Sequence, residues 1–286
     1  MKGKGVVLFG VVLSLVGIGI ACVSGKKAYD DYKKMDKYSA GHIDLSDSSK
    51  LNVVVGAGTV TIHHSETTTS YVDYNVADYY QVKYDEEKAE LKMYKKWQYW
   101  FMWDFSNKNT MDVYLTEKDY EACFDLNAGK FIIDGDFSFT NLTIDVSAGD
   151  FKSQNNTLTV TKNANVKISA GDISINNLIC GENASLKVSA GDLDVKYVEA
   201  KKTDIKISAG DISTKVKSDV IDFKISAGDL DLTIVGDLKD YNTDIDKSAG
   251  SCSLSKDERH QTGRTTGKEL NGDISAGSAD ITFVSE

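Results

Sequence analysis

The chain has 286 residues, 41% of them hydrophobic, with 43 Asp and Glu against 33 Lys and Arg. This acidic balance argues against a nucleic-acid partner, whose phosphates require a basic surface, and the hydrophobic content is too high for a disordered chain. Proline is absent, where average usage predicts about fourteen. Its absence favours β-structure whose turns use Gly, Asn and Asp.

The first predicted element is a membrane span. Two lysines precede an uncharged run over 5–23, and nineteen helical residues would cover about 28 Å, enough to cross a hydrocarbon core. An uncleaved helix is favoured over a lipidated Cys22, because Gly19 stands where lipoprotein cleavage sites usually carry an aliphatic residue. Lipidation of Cys22 stays open. The prediction is a transmembrane anchor or signal segment over 1–24.

A charged stalk is predicted over 25–44, outside the membrane. Its lysines oppose that orientation under the positive-inside rule, but a long domain is translocated largely regardless of flanking charge. We therefore expect a single-pass protein of the cell membrane with an extracytoplasmic C-terminal domain. The opposing lysines are Lys26, Lys27, Lys33 and Lys34.

Residues 45–125 predict an aromatic-rich β-structure that begins the ectodomain. Strand-like runs occur at 51–55, 60–62 and 112–115, and all three tryptophans lie within seven residues. One interpretation is a hydrophobic cap on the first coil, and the other is an interaction surface for an envelope glycan or a membrane. The candidate residues for that surface are Trp97, Tyr99, Trp100 and Trp103.

Residues 126–286 carry an internal repeat. Ser-Ala-Gly occurs seven times, and its glycines are separated by 18 to 27 residues. Units of this length cannot bury an apolar face alone, so they are expected to stack one per coil. The repeat glycines are Gly149, Gly171, Gly191, Gly210, Gly228, Gly250 and Gly277.

Each Ser-Ala-Gly element is predicted to be a corner. Apolar residues alternate before Gly171 and again after it, but the step from Ile168 to Ile173 is odd. A flat strand cannot change parity and keep one face buried, whereas a glycine bend with positive φ can. The predicted fold is all-β: a parallel β-solenoid of about 20-residue coils, in which right-handed coiling is the common outcome. About eight coils would form a rod of about 38 Å.

Five of the repeats continue with aspartate, namely Asp150, Asp172, Asp192, Asp211 and Asp229. Stacking would place these carboxylates about 4.8 Å apart, where neighbours repel by about 0.9 kcal/mol in water. A nearby lysine column could offset this repulsion, and a calcium ladder is one hypothesis. The alternative is that each aspartate caps its own glycine turn.

The sequence predicts no catalytic residue, resident metal or cofactor. The four histidines form no ligand motif, and the Ser253–Lys256 S-x-x-K match lacks its companion motifs. Arg259 and Arg264, the only arginines, lie in a predicted loop insertion over 255–269. A polysaccharide-active β-helical enzyme stays open as an alternative.

One position near the C-terminus departs from the repeat pattern. Lys247 occupies the position that aliphatic residues hold in the other repeats, so the regular core is expected to fade there, with 273–283 as the C-terminal cap.

Cys123, Cys180 and Cys252 are expected to be buried thiols, although a Cys180–Cys252 disulfide stays open.

The N-terminal span, the early strands and the serial Ser-Ala-Gly-Asp turns together resemble the bacterial "putative adhesin" family of domains of unknown function. The similarity covers roughly 45–286 and is strongest over 126–232. It implies a β-helical solenoid and either adhesion or an accessory role in envelope-stress signalling, with a membrane signalling protein as partner. It supplies no catalytic residues.

Overall fold

The computed structural model describes residues 37–99, 108–254 and 267–285, which form one 21-stranded sheet. Two short 3₁₀ helices occur, at Trp97–Tyr99 and Leu238–Asp240. The strands are β1 (Tyr38–Asp44), β2 (Lys50–Val55), β3 (Thr59–His64), β4 (Tyr71–Ala77), β5 (Tyr80–Asp85), β6 (Glu90–Lys95), β7 (Thr110–Leu115), β8 (Tyr120–Leu126), β9 (Lys130–Asp134), β10 (Phe137–Val146), β11 (Asp150–Val160), β12 (Asn163–Ile168), β13 (Asp172–Cys180), β14 (Asn183–Val188), β15 (Asp192–Ile207), β16 (Asp211–Ile225), β17 (Asp229–Val235), β18 (Tyr241–Lys247), β19 (Ser251–Leu254), β20 (Lys268–Ile274) and β21 (Ser278–Val284).

The predicted anchor over 1–24 and most of the stalk lie outside the described residues. Within the ranges that are described, no helix is long and apolar enough to cross a membrane.

Each coil has three faces. In the coil over 163–180, β12 forms the first face, the Ser-Ala-Gly corner follows, and β13 supplies the second and third faces on either side of a bend. β12 pairs in parallel with β14 of the next coil, and β13 pairs in parallel with β15. In the following pair, β15 with β16, the register changes at the bend between Val195 and Val198. The all-β parallel solenoid is therefore confirmed.

The core is a column of inward-pointing aliphatic and aromatic side chains. Ile168 before the corner and Ile173 after it are both at most 1% exposed, whereas the turn residues between them are partly or fully exposed. The inward parity thus changes across the corner, as the alternation predicts. Fully buried phenylalanines such as Phe131 and Phe151 stack on each other between adjacent coils, with ring centroids 5.3 Å apart.

The turn glycines form a ladder of their own. Six of the seven have φ between 101° and 131°. A Cβ added at Gly191 would lie 2.3 Å from the carbonyl oxygen of Gly171, so only glycine fits between the stacked backbones. Gly250, at the end of the stack, differs in lacking positive φ, and a Cβ there would lie 2.6 Å from the Gly277 carbonyl oxygen.

The second face contains ten parallel layers across the described residues, and eight of them lie within 126–286, as the repeat predicts. The early strands belong to the same stack as the repeats, which adds layers. At about 4.8 Å per step the stack is about 43 Å long. In spatial order the layers are β7, β3, β9, β11, β13, β15, β16, β17, β21 and β19.

The stacking order departs from chain order at both ends. At the C-terminal end, β20 and β21 insert between the β16–β17 coil and the β18–β19 coil. The prediction that 273–283 forms the C-terminal cap was therefore wrong, because 241–254 is the outermost layer. Lys247 explains this order: its position faces inward in other coils, and only an outermost layer leaves an ammonium there in contact with water.

The N-terminal end has the mirror arrangement. β2 and β3 lie between the β6–β7 coil and the β8–β9 coil. Antiparallel strands then cover this end: β4 pairs with β7, β1 pairs with β4, and β5 pairs with β6. The hydrophobic cap predicted within 45–125 is thus accompanied by strands whose backbone hydrogen bonds pair the N–H and C=O groups at the edge of the terminal coil.

Candidate interaction surfaces

The predicted aromatic surface lies at a corner of the solenoid. Between β6 on the first face and β7 on the second, residues 96–109 replace the three-residue turn of the other coils. Trp97 is 82% exposed, and Tyr99 packs partly against the core and meets Tyr79 edge to face at 6.2 Å. Trp100 and Trp103 lie outside the described residues. We call residues 95–99 the aromatic corner.

Asp78 connects the aromatic corner to the point where the chain enters the solenoid. The Asp78 backbone N–H donates to the Lys37 carbonyl oxygen at 3.0 Å, and its carboxylate accepts from the Ser39 hydroxyl at 2.9 Å. Its carbonyl oxygen accepts from Lys96 Nζ at 2.5 Å. The entry at Lys37 and the exposed ring of Trp97 are therefore held at the same end of the rod.

The repeat aspartates form the column that stacking predicts. Asp150, Asp172, Asp192, Asp211 and Asp229 are successive partners in register on the second face. The carboxylate of Asp211 accepts from the backbone N–H of Asp229 at 3.1 Å, and that of Asp229 accepts from the Ser278 hydroxyl at 2.6 Å. These contacts are to the next coil, whereas the capping hypothesis placed them within each aspartate's own turn.

A shallow depression of about 230 Å³ lies over this column, lined by Asp192, Asp194, Asp211, Asp229 and Asp231 among others. In the described ranges, no group of three or more His, Cys, Asp and Glu residues has the geometry of a metal site. The calcium ladder stays a prediction.

A second column, of lysines, runs along the first face. Lys167, Lys187, Lys206 and Lys224 are successive partners in register. Its two ends are closed by ion pairs, Lys167 with Asp145 at 2.8 Å and Lys224 with Asp273 at 2.7 Å. The ion pairs of this column thus join it to acids on its own face.

Sequence reasoning missed a histidine–tyrosine stack on the second face near the N-terminal end. The rings of His42, Tyr71, Tyr114 and His63 follow one another across β1, β4, β7 and β3, with centroids 5.2, 4.6 and 5.0 Å apart. Hydrogen bonds to Asp73 at 2.6 Å and Asp44 at 3.2 Å raise the pKa of His42.

His63 lies between two acids. Its Nε2 is 3.4 Å from an Asp112 carboxylate oxygen, and its Nδ1 is 3.4 Å from one of Asp134. The adjacent His64 stacks on Phe137 at 4.2 Å and contacts the Asp136 carbonyl oxygen at 2.7 Å. The two histidines are therefore used separately, as their alternation on a strand predicts.

The three cysteines in the described residues are free thiols, so the Cys180–Cys252 disulfide is not formed. Burial raises the pKa of all three thiols, which disfavours the reactive thiolate. Most of the predicted insertion over 255–269, with Arg259 and Arg264, lies outside the described residues. Its last two residues belong to β20, which begins at Lys268.

These features define a class: an all-β parallel solenoid whose outer faces carry columns of identical side chains. The chain belongs to the Toastrack DUF4097 family, whose profile matches residues 48–285. No curated protein matches the chain in sequence.

Several solved structures share the fold. A "putative adhesin" from Bacteroides fragilis has 14% identity and a TM-score of 0.52, covering 87% of this chain and 98% of its own. A "putative adhesin" from Parabacteroides merdae and a "putative lipid binding protein" from Parabacteroides distasonis each have 14% identity and a TM-score of 0.51, covering 87% of this chain and 97% of their own. These neighbours agree with the resemblance drawn from the Ser-Ala-Gly-Asp turns.

Proposed function

We propose that the chain is a non-enzymatic, adhesin-like interaction protein of the cell envelope. Residues 5–23 anchor it in the membrane, and the solenoid stands on the extracytoplasmic side. The observation that supports this most is the aromatic corner beside the chain entry, where Trp97 is 82% exposed. Indole rings are favoured at the membrane–water interface, because one side of the ring system is apolar and its N–H remains hydrated.

This arrangement orients the rod. The N-terminal layers lie nearest the bilayer, and the β18–β19 layer lies about 43 Å further out if the axis stands upright. The lysines of the aromatic corner, Lys95 and Lys96, would lie close to anionic headgroups, which attract cations near the surface. The first and second faces then project sideways into the envelope as rigid binding surfaces.

The topology is tested in intact cells with a membrane-impermeant maleimide. Ser147 is exposed on a corner, so we expect Ser147→Cys in the full chain to be labelled before lysis, while the parent chain with its half-buried thiols gives the background. Alkaline extraction should leave the protein in the membrane fraction. Labelling of Ser147→Cys only after lysis would overturn the extracytoplasmic placement.

The aromatic corner is tested with the full chain in nanodiscs that contain brominated lipids. We expect quenching of tryptophan fluorescence in the parent and less quenching in Trp97→Phe. Absence of quenching in the parent would refute membrane contact and favour the glycan alternative. The enzymatic alternative is tested by incubation with anionic and neutral polysaccharides, where release of product would overturn the non-enzymatic proposal.

A further inference from the structure

Four successive coils end their first face with the same two groups. Each has a lysine and, two residues later, the serine that begins the Ser-Ala-Gly turn, so both side chains belong to the outward set of the strand. The pairs are Lys167 with Ser169, Lys187 with Ser189, Lys206 with Ser208, and Lys224 with Ser226. We call this set the lysine–serine ladder.

The serines of the ladder are stacked as regularly as the lysines. The backbone N–H of Ala190 donates to the Ser169 carbonyl oxygen at 3.0 Å, and that of Ala209 donates to the Ser189 carbonyl oxygen at 2.9 Å. The ladder therefore repeats an ammonium and a hydroxyl at the interstrand spacing of about 4.8 Å. Both groups can donate hydrogen bonds.

The centre of the ladder differs from its ends. Lys167 and Lys224 are neutralised by Asp145 and Asp273, whereas Lys187 and Lys206 have neither an ion pair nor a hydrogen bond within the described part of the chain. The nearest acid on the Lys206 strand is Asp204, which contacts Lys202 at 3.6 Å. Two like charges are thus held next to each other and neither forms an ion pair, because Asp204 and Asp222, which line the same depression as Lys206, are paired with Lys202.

We propose that the lysine–serine ladder binds a linear polyanion that lies along the solenoid axis. The two central ammoniums repel each other, and an oxyanion between them removes that repulsion while accepting hydrogen bonds from Ser189 and Ser208. The site is an open row, which suits successive groups of a polymer more than one small ion, because each further contact becomes intramolecular.

Lysine binds carboxylate and phosphate alike as a point charge. The shared chemistry is therefore an oxyanion repeated along an envelope polymer, either a polyuronate or a polymer that carries phosphate. The proposal deepens the interaction role above and rests on its extracytoplasmic placement for the envelope ligand, whereas the binding itself does not involve the aromatic corner.

The test uses the full chain in nanodiscs of neutral lipid, with polygalacturonate and inorganic polyphosphate as probes and dextran as the uncharged control. The variant is Lys187→Gln with Lys206→Gln. The matched control, Lys152→Gln with Lys215→Gln, removes the same charge from two exposed lysines outside the ladder. Thermal melting establishes that all three proteins fold.

We expect the parent to bind at least one anionic polymer, with an affinity that falls as salt is added, and not to bind dextran. Loss of two charged contacts should weaken binding by about tenfold or more, and the control variant should retain the parent affinity. Binding of only one probe identifies the oxyanion and supports the proposal.

Three outcomes would overturn it. The parent does not bind either polymer, or both double variants lose affinity equally, which would mean diffuse attraction without a site. The third is a salt-sensitive dimer in sedimentation velocity that disappears only in the Lys187→Gln, Lys206→Gln variant. That result would assign the ladder to the aspartate column of a second copy.

Discussion

Replacement of a ladder glycine by alanine tests the corner directly. Gly191 has a φ of 108°, and a Cβ there would lie 2.3 Å from the Gly171 carbonyl oxygen and 3.0 Å from the Gly171 nitrogen. The positive φ alone costs a non-glycine residue about 1–2 kcal/mol. The clash is with the backbone of the preceding coil, which cannot rotate away, and overpacking of this kind costs about 1–3 kcal/mol more. We expect Gly191→Ala to lower the free energy of unfolding by about 2–5 kcal/mol.

Gly236 is the matched control, because it has a φ of 140° and its nearest neighbour to an added Cβ is a Tyr241 ring carbon at an ordinary 3.6 Å. Gly236→Ala therefore carries the conformational cost without the clash and should lose about 1–2 kcal/mol. Urea denaturation followed by far-UV circular dichroism compares the two variants. Equal losses would refute the argument that close stacking of the coils, and not φ alone, requires glycine at the corner.

The end of the stack, the histidine cluster and the buried hydroxyls give three further predictions. Lys247→Ile should remove an edge charge and produce end-to-end association in sedimentation velocity, because unpaired edge strands are kept apart by such charges; a monomeric variant would contradict this. The hydrogen bond to Asp73 raises the pKa of His42, so its contribution to the docking of β1 is fully present below about pH 6.5 and is lost as pH rises through the raised pKa. The protection factors of the β1 amides, which are corrected for the intrinsic rise of exchange with pH, should fall over that range, and persistence of the effect in His42→Gln would assign it to another group. Thr214→Val should be neutral or stabilising by up to about 1 kcal/mol, since its buried hydroxyl has no partner; Thr203→Val should cost about 1–2 kcal/mol, because it removes a buried hydroxyl pair at 2.6 Å, and equal thermal shifts would contradict this reasoning.

The corner could be predicted from the sequence because its evidence is local. Apolar alternation changes parity within ten residues around Gly171, and the same change recurs in successive repeats. The parity fixes which side chains point inward, and the spacing fixes one corner per coil. The columns of Asp and Lys follow directly, since parallel strands in register align equivalent positions.

The histidine–tyrosine stack could not be predicted in this way. Its four rings come from positions 42, 63, 71 and 114, and one of the strands that carry them, β4, runs antiparallel to its neighbours β1 and β7. Their adjacency depends on the register of β1 on β4 and of β4 on β7, which no repeat in the sequence encodes. The sequence signal was limited to the concentration of aromatic residues in this part of the chain.

The order of the terminal coils was missed because Ser-Ala-Gly occurs in every coil and does not specify which coil is its neighbour. Lys247 is the charged residue that distinguishes the two candidates for the outermost layer, because it occupies an inward position where β20 has Ile274. In the interior, its ammonium would lack water and a partner, so the β18–β19 coil must lie at the end. The β20–β21 coil, whose inward residues Leu270, Ile274, Ala279 and Ile281 are at most 1% exposed, takes the buried layer.

This order has a consequence for the stability of the ends. In a solenoid that stacks in chain order, the last coil contacts one neighbour and continues into a free tail, so it opens first. Here the outermost β18–β19 coil is tied covalently at both of its ends, through 236–240 to β17 and through 255–267 to β20. The β6–β7 coil at the other end is likewise tied at both ends, through 86–89 and 116–119. Opening such a coil releases a closed loop, which gains less conformational entropy than a free tail. The inserted coils therefore protect the ends of the stack through chain connectivity as well as through hydrogen bonds.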